Sequence, residues 1–342
     1  MPKISVIIPN FNRALLVRET LSNLLAQTLP PHEIIVVDDG STDESVQVIQ
    51  SFGSKVKLIR QANQGPGVAR NAGLLIATGE FIQFQDSDDL FSLNKLEAQS
   101  KLLEQTGADI AFSPWVKVKI EGRQMSLENH VLQQAMPPLK LSLPCWWLRG
   151  WSTVFQSLMF RKSFLDRIGG YRTDLMPSED TELFFRILTG SPQVVFTAEP
   201  LMLYREHAMN KITQDKGTST ARRVTDWARC LTYMIKRCEE CRLKPDWSTR
   251  SIFLSGIQNH LRYLQAVPNA PDELVKRLAA EAEQMPSVWL AAVGFWLRGS
   301  EFVRLRMRGS RWMDAYQAGP PSAPQLRLIE EMGFVVNGVA NR

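Results

Sequence analysis

The sequence predicts an α/β fold with a mostly parallel central sheet flanked by helices, continued by a helical C-terminal extension. Three observations carry this. Short, unbroken apolar runs recur early in the chain ("ISVIIP", "EIIVVDD", "VKLIR", "EFIQF"), and such runs fit strands buried on both faces. Stretches with helical spacing or helix-start chemistry separate them. The connections are short, and alternating β and α units joined that way give a parallel sheet covered by helices.

In chain order, "ISVIIP" is the first strand, and "ALLVRETLSNLLAQ" follows with Val17, Leu21, Leu24 and Leu25 on one helical face. "EIIVVDD" is the second strand. "STDESVQVIQSF" opens with the Ser, Thr and Asp that start helices. "VKLIR" is a third strand, "GPGVARNAGLLIATG" a glycine-flanked helix and "EFIQF" a fourth strand. "LNKLEAQSKLLEQTG" reads as a helix, "DIAFSPWVKVKI" as strand, and "EGR" as a hairpin turn. Residues 124 to 150 read as less regular, with Pro137, Pro138 and Pro144 and the pair Trp146 and Trp147. "SEDTELFFRILTG" is a helix with an acidic start, and "VVFTAEPLMLYREH" returns to strand. From Thr218 onward the chain reads as helical, with a proline-rich break at Pro320 to Pro324.

With 342 residues, 44% of them hydrophobic, the chain is long enough for one large domain or two smaller ones. The expected division is 1–217, with halves 1–105 and 106–217, followed by an extension over 218–342. A charged fraction of 22% excludes a disordered chain. The net charge of +5 fits an anionic substrate or membrane surface as well as nucleic acid and discriminates poorly; no nucleic-acid partner is expected. Cys238 and Cys241 have C-x2-C spacing, but no second pair or clustered histidine completes a zinc site among four cysteines and four histidines. Sparse cysteine suggests a reducing compartment. "MPKISVIIPNFNR" lacks the features of a signal peptide, and the most apolar segment, "SVWLAAVGFWL", is too short to span a bilayer. A cytoplasmic location is expected.

In an open parallel α/β sheet, ligands gather beyond the carboxyl ends of the strands. Here those ends carry Pro9, Asn10 and Phe11, then Asp38 and Asp39, then Asp86, Asp88 and Asp89 in "FIQFQDSDDL". Each group alone is also an ordinary turn or helix cap. Carboxylates converging from neighbouring strands need a cation, and hard oxygen ligands at a partly open site suit Mg2+ or Mn2+. No G-x-G-x-x-G follows the first strand and no phosphate-loop motif is present, which disfavours a nicotinamide-binding or P-loop protein. "NQGPGVARNAG" carries Arg70, which is suited to a phosphate or to holding Asp39.

The series "SVIIPNFNR", "IIVVDDGSTD", "NQGPGVARNAGLLIATGEFIQFQDSDD" and "SEDTELFFR" resembles the family 2 nucleotide-sugar glycosyltransferases of the Rossmann-like GT-A fold, over Pro2 to His207. The resemblance implies that Pro9 and Phe11 lie against the nucleotide base and that Asp39 accepts a hydrogen bond from it, with Asp38 supporting the loop or the ribose. It puts Arg70 toward the nucleotide or its phosphates. Asp86 and Asp88 match the family's D-x-D, Asp88 as metal ligand and Asp86 for ribose or the metal's shell. Asp89 extends the motif and is expected to cap the next helix. Asp180 matches the catalytic base, with Glu179 toward the acceptor. His207 resembles the late histidine that helps bind metal or phosphate.

The implied reaction is an inverting, Mn2+- or Mg2+-dependent sugar transfer from a nucleotide-diphosphate donor, with uracil the expected base, to a hydroxyl of a glycan or lipid-linked acceptor. Surface-polysaccharide assembly is the expected setting. Metal supports the departing diphosphate and Asp180 deprotonates the acceptor. Trp146, Trp147 and Trp151 suit either an acceptor platform or the core. "WLAAVGFWLRGSEFVRLRMRGSRWM" mixes bulky apolar residues with arginines, as in a helix lying on an anionic membrane's inner face, or in a packed helix with solvated arginines. The alternatives are a catalytically inactive nucleotide-sugar binder, against which Asp88 and Asp180 stand, and a nucleotidyltransferase, whose early glycine-rich signature "PNFNRALL" lacks.

Overall fold

The chain builds its main sheet outward from β1 (Ile4–Asn10), whose seven residues are all buried. β1 pairs in parallel with β2 (Glu33–Asp38) on one side and β4 (Phe81–Phe84) on the other, and β3 (Lys57–Arg60) extends the sheet beyond β2. The computed structural model describes residues 1–132, 135–137, 141–148, 153–176, 178–207, 219–283 and 318–337.

Helices α1 (Ala14–Leu25), α2 (Ser45–Gln50) and α3 (Pro66–Ile76) cross between these strands, as the sequence predicts. α3 lies close on β1. A Cβ placed on Gly73 would stand 2.4 Å from Cγ2 of Ile7, so only glycine permits this approach. Alternate residues of the strands serve opposite faces. Ile7, Ile35, Val37 and Phe84 join one apolar core, and Ile4, Val6, Ile8, Ile34 and Val36 join the other.

Beyond β4 the sheet continues with β9 (Leu158–Arg161), β6 (Ile110–Phe112) and β10 (Val194–Phe196). β9 runs antiparallel to both its neighbours. The sequence reading contains neither β9 nor α6 (Lys162–Ile168). A four-residue strand entering directly from one irregular turn and leaving into a seven-residue helix gives no readable period.

A second sheet packs β5 (Leu90–Phe91), β11 (Met202–Arg205), β7 (Trp115–Glu121) and β8 (Gln124–Leu132) side by side. Both long strand signals in this half are therefore split between the sheets. "DIAFSPWVKVKI" supplies β6 and β7, and "VVFTAEPLMLYREH" supplies β10 and β11. Pro114 and Pro200 stand at the breaks, where a missing N–H and a fixed φ end regular pairing. The expected turn lies between β7 and β8, with Gly122 at φ 61°. The expectation of irregular chain from residue 124 is corrected: it holds the nine-residue β8 and the short α5 (Leu143–Leu148). In "QMSLENHVL" the polar Glu-Asn-His run interrupts the alternation that marks a strand.

α4 (Lys95–Thr106) covers the main sheet and α7 (Glu179–Thr189) reaches its carboxyl edge. α8 (Ser219–Glu240), α9 (Trp247–Gln265) and α10 (Asp272–Ala282) then pack around Leu231, Ile235, Leu254, Ile257 and Leu278. Asp246 caps α9 by accepting from the backbone N–H of Ser248 and Thr249. The C-terminal region is helical as predicted, but not throughout. β12 (Ala318–Gly319) and β13 (Val335–Asn337) both pair with β8, and α11 (Ala323–Glu331) lies between them. All four cysteines are free. Among the described residues no helix is long and apolar enough to cross a membrane, and the arginine-rich segment 289–313 lies outside them.

Candidate active site

The strand ends meet as expected, and each acidic pair divides its labour. At β2, Asp38 is buried and pins the neighbouring turns. Its Oδ1 accepts from Asn10 Nδ2 at 3.1 Å and its Oδ2 from the Ser41 N–H at 3.2 Å. Asn12, held at φ 52°, accepts through Oδ1 from the Thr42 N–H at 2.8 Å. Asp39 fixes the loop before α3. It accepts from Gln61 Nε2 at 2.7 Å and from the N–H groups of Gln64 and Gly65 at 2.9 and 2.8 Å. Pro9 lies inside β1, buried and opposite Val37, rather than in the turn. Phe11 is in the turn and 43% exposed.

After β4 the three aspartates separate. Asp89 is buried and structural, though not as a helix cap. Its Oδ1 accepts from the Arg205 N–H at 2.8 Å, which ties β11 to this loop, while Asn94 stands at the N-terminus of α4. Asp88 is partly exposed, with Oδ2 2.9 Å from His207 Nε2 and 3.4 Å from Arg13 Nε. Asp86 Oδ2 accepts from Gln156 Nε2, and its Oδ1 accepts from Arg70 Nη2 at 2.8 Å. Burial raises the Asp86 pKa; Arg70 opposes that, while Asp88 and Asp180 add to it.

Carboxylate oxygens of Asp86, Asp88 and Asp89 all lie within 4.8 Å of one another. Hard oxygens beside an imidazole fit a divalent cation of the Mg2+ or Mn2+ type. Asp86 and Asp88 face outward for that role. The Nδ1 of His207 is buried and has no hydrogen-bond partner among the described residues, so its Nε2 contact with Asp88 is what orients the ring. The residues fit the implied metal.

Arg70 pairs with other carboxylates than Asp39: it lies buried between the D-x-D loop and the start of α7. Besides Asp86, its Nη1 stands 3.4 Å from Glu179 Oε1 and 3.3 Å from Asp180 Oδ1. The Tyr171 ring lies 5.2 Å beneath the guanidinium. Acidic residues in a first helical turn are favoured by the positive end of the helix dipole. Burial, reinforced by Asp180, raises Glu179 to about 7. The Asp180 side chain is 42% exposed, open to an incoming group.

Trp146 and Trp147 are half-buried and pack against the main core, and Trp147 meets Phe184 edge-on at 4.8 Å between centroids. Trp151 lies outside the described residues. The sequence reading missed Arg13, Gln156 and Tyr171 at this site. Arg13 was visible at the end of "PNFNR", one position past the turn. Gln156 and Tyr171 carry no motif, because only the unforeseen β9 and its flanks bring them in.

The model of the family described as glycosyl transferase family 2 matches residues 5–169. An uncharacterized glycosyltransferase of Rickettsia conorii is 33% identical over 166 residues, covering 46% of this chain and 27% of that protein. One of Rickettsia prowazekii is 30% identical over 216 residues, covering 60% of this chain and 65% of that one. The chain thus spans only about a quarter of the length of the first of these and less than two thirds of the second. The crystal structure of residues 1–349 of S. aureus TarS in complex with UDP-GlcNAc superposes with a TM-score of 0.58 at 19% identity, covering 82% of this chain and 88% of that one. That likeness is one of fold, and it matches the GT-A arrangement the motifs implied.

Proposed function

Residues 5–169 are a glycosyl transferase family 2 domain, and on that premise we propose that the protein moves a sugar from a nucleotide-diphosphate donor to an acceptor hydroxyl, with inversion. The observation that carries this reading is the meeting of Arg70 with Asp86 on one side and Asp180 on the other. One guanidinium thereby joins the seat for a donor's diphosphate to the carboxylate that takes the acceptor's proton.

In this reading Phe11 stacks on the base and Asp39 holds the loop that frames it. Asp86, Asp88 and His207 would hold Mn2+ or Mg2+, which when bound would supply Lewis-acid support for the charge on a leaving diphosphate. Arg70 fixes Asp86 and Asp180 in direction. Asp180, the more exposed carboxylate at the helix start, accepts the hydroxyl proton as the sugar transfers. A single displacement with one base inverts the anomeric carbon. Glu179, buried and with its pKa raised to about 7, shapes the wall beside the base.

A UDP-sugar is the proposed donor, supported by the UDP-GlcNAc complex of a protein of the same fold. A glycan or lipid-linked acceptor, in surface-polysaccharide assembly at the inner membrane face, is proposed from the motif resemblance and the arginine-rich segment 289–313. The test is a panel of nucleotide sugars, with and without Mn2+, read as thermal stabilisation at ligand concentrations well above the dissociation constant. A shift confined to UDP-sugars and enlarged by Mn2+ is expected. No shift with any nucleotide sugar would remove the donor assignment.

A further inference from the structure

We infer that Lys95 is a positioning residue for the metal-facing carboxylates, acting through Gln83, Gln99 and Gln156; this rests on the metal-dependent reading above. Lys95 is fully buried in α4, behind the D-x-D loop. Its Nζ donates to Gln83 Oε1 at 2.7 Å and to Gln99 Oε1 at 2.8 Å, and it lies 4.1 Å from the centre of the Phe91 ring. Its hydrogen-bond partners are both neutral amides. Burial accordingly pushes its pKa well below the ordinary lysine range. On burial alone an apolar side chain would suit this volume better.

What the lysine does there is fix which way two amides face. Charged or neutral, the lysine Nζ carries at least two N–H groups, enough to donate to both amides. Both glutamines turn their oxygens toward it, and so their Nε2 groups point away. Gln83 Nε2 then donates to the Gln156 carbonyl at 2.9 Å and also to the Phe84 carbonyl at 2.6 Å. Gln99 Nε2 donates to the Ser157 carbonyl at 2.7 Å. These two carbonyls belong to the short turn Phe155–Ser157 that feeds β9. The Gln156 side chain projects from that turn to the acidic loop, donating to Asp86 Oδ2 and, at 3.4 Å, to Asp89 Oδ2. The same Gln156 amide thus bridges the aspartate that faces the cation and the aspartate that anchors Arg205 and, two residues on, His207. A neutral, non-donating side chain at 95 frees both amides to flip, which presents oxygens to the carbonyls of 156 and 157 and loosens the bridge.

The experiment measures Mn2+ affinity on the full chain by calorimetry, with thermal unfolding as a check on folding. Wild type, Lys95→Met, Gln156→Leu and the double variant are compared. Lys95→Met is expected to weaken Mn2+ binding about tenfold, the low end of what partners behind metal ligands contribute. Gln156→Leu should lose at least as much, and the double variant no more than Gln156→Leu alone. Wild-type affinity in Lys95→Met, or losses that multiply in the double variant, would overturn the inference. If Lys95→Met does not unfold cooperatively, Gln99→Leu replaces it, with a smaller loss expected and an unchanged affinity again counting against the relay. A wild-type protein that takes up no Mn2+ removes the metal-dependent reading and this inference together. Binding in wild type with no change in the variants removes only the relay.

Discussion

Arg70 Nη1 stands 3.3 Å from Asp180 Oδ1 although 110 positions separate them in sequence. The contact crosses from α3, beside the first strand, to the first turn of α7. It closes the distance between the motif expected to hold the donor and the residue expected to act on the acceptor. Because Arg70 is 4% exposed, its charge is screened little by water, and the three carboxylates around it depend on it.

Arg70→Met should therefore be severe. It leaves Asp86, Glu179 and Asp180 without their shared cation, and breaking a buried ion pair from one side costs about 3–5 kcal/mol. Arg70→Lys should recover part of the stability but not the activity, because an ammonium cannot reach carboxylates on both sides as the guanidinium fork does. Denaturant midpoints and transfer rates on both variants check this.

Asp180→Asn separates binding from chemistry. The amide keeps the shape and can still contact Arg70's surroundings, but it cannot take a proton. Loss of a general base is expected to lower the transfer rate by about 10²–10⁴-fold. Donor affinity, measured by calorimetry, should stay within a small factor of wild type.

Most of the main sheet was legible because its strands are buried on both faces and read as unbroken apolar runs. The acidic edge was legible because Asp38–Asp39, Asp86–Asp88 and Asp180 stand at strand and helix ends, where motif position alone locates them. What was not legible depends on pairing across distance. β9 is four residues long and enters antiparallel, so nothing local announces it, and Gln156 arrives with it. The two sheets divide "DIAFSPWVKVKI" at Pro114, between β6 and β7. Arg70's partners could not be read either, since a charge in a glycine-rich stretch suits a phosphate as well as a carboxylate.

The raised Glu179 carboxyl gives a pH dependence of definite sign. Its folded-state pKa of about 7 lies above the ordinary 4.5, so the folded protein holds this proton more tightly than the unfolded chain. Stability from this group is fully present below pH 4.5 and is lost as pH rises through 7. The total is on the order of 3 kcal/mol at one pKa unit per 1.36 kcal/mol. Glu179→Gln should flatten that slope. Urea unfolding from pH 5 to 8 should show the variant gaining on wild type as pH rises.

Trp147 tests the division between core and acceptor surface. Its ring packs on Phe184 and is only half-buried, so Trp147→Ala should cost about 2–3 kcal/mol, below the range for a fully buried tryptophan. Donor binding should be unchanged at temperatures where the variant is folded. A thermal melt and a donor titration on the same sample decide it.

The proposed metal seat is Asp88 with Asp86 and His207, which would hold a cation against the donor's diphosphate. The most direct measurement is calorimetric titration of UDP into wild type and Asp88→Ala, each with and without Mn2+. Mn2+ is expected to tighten UDP binding to wild type at least tenfold and to do nothing for Asp88→Ala. UDP binding to wild type that ignores Mn2+, or an Mn2+ gain that survives in Asp88→Ala, would contradict it.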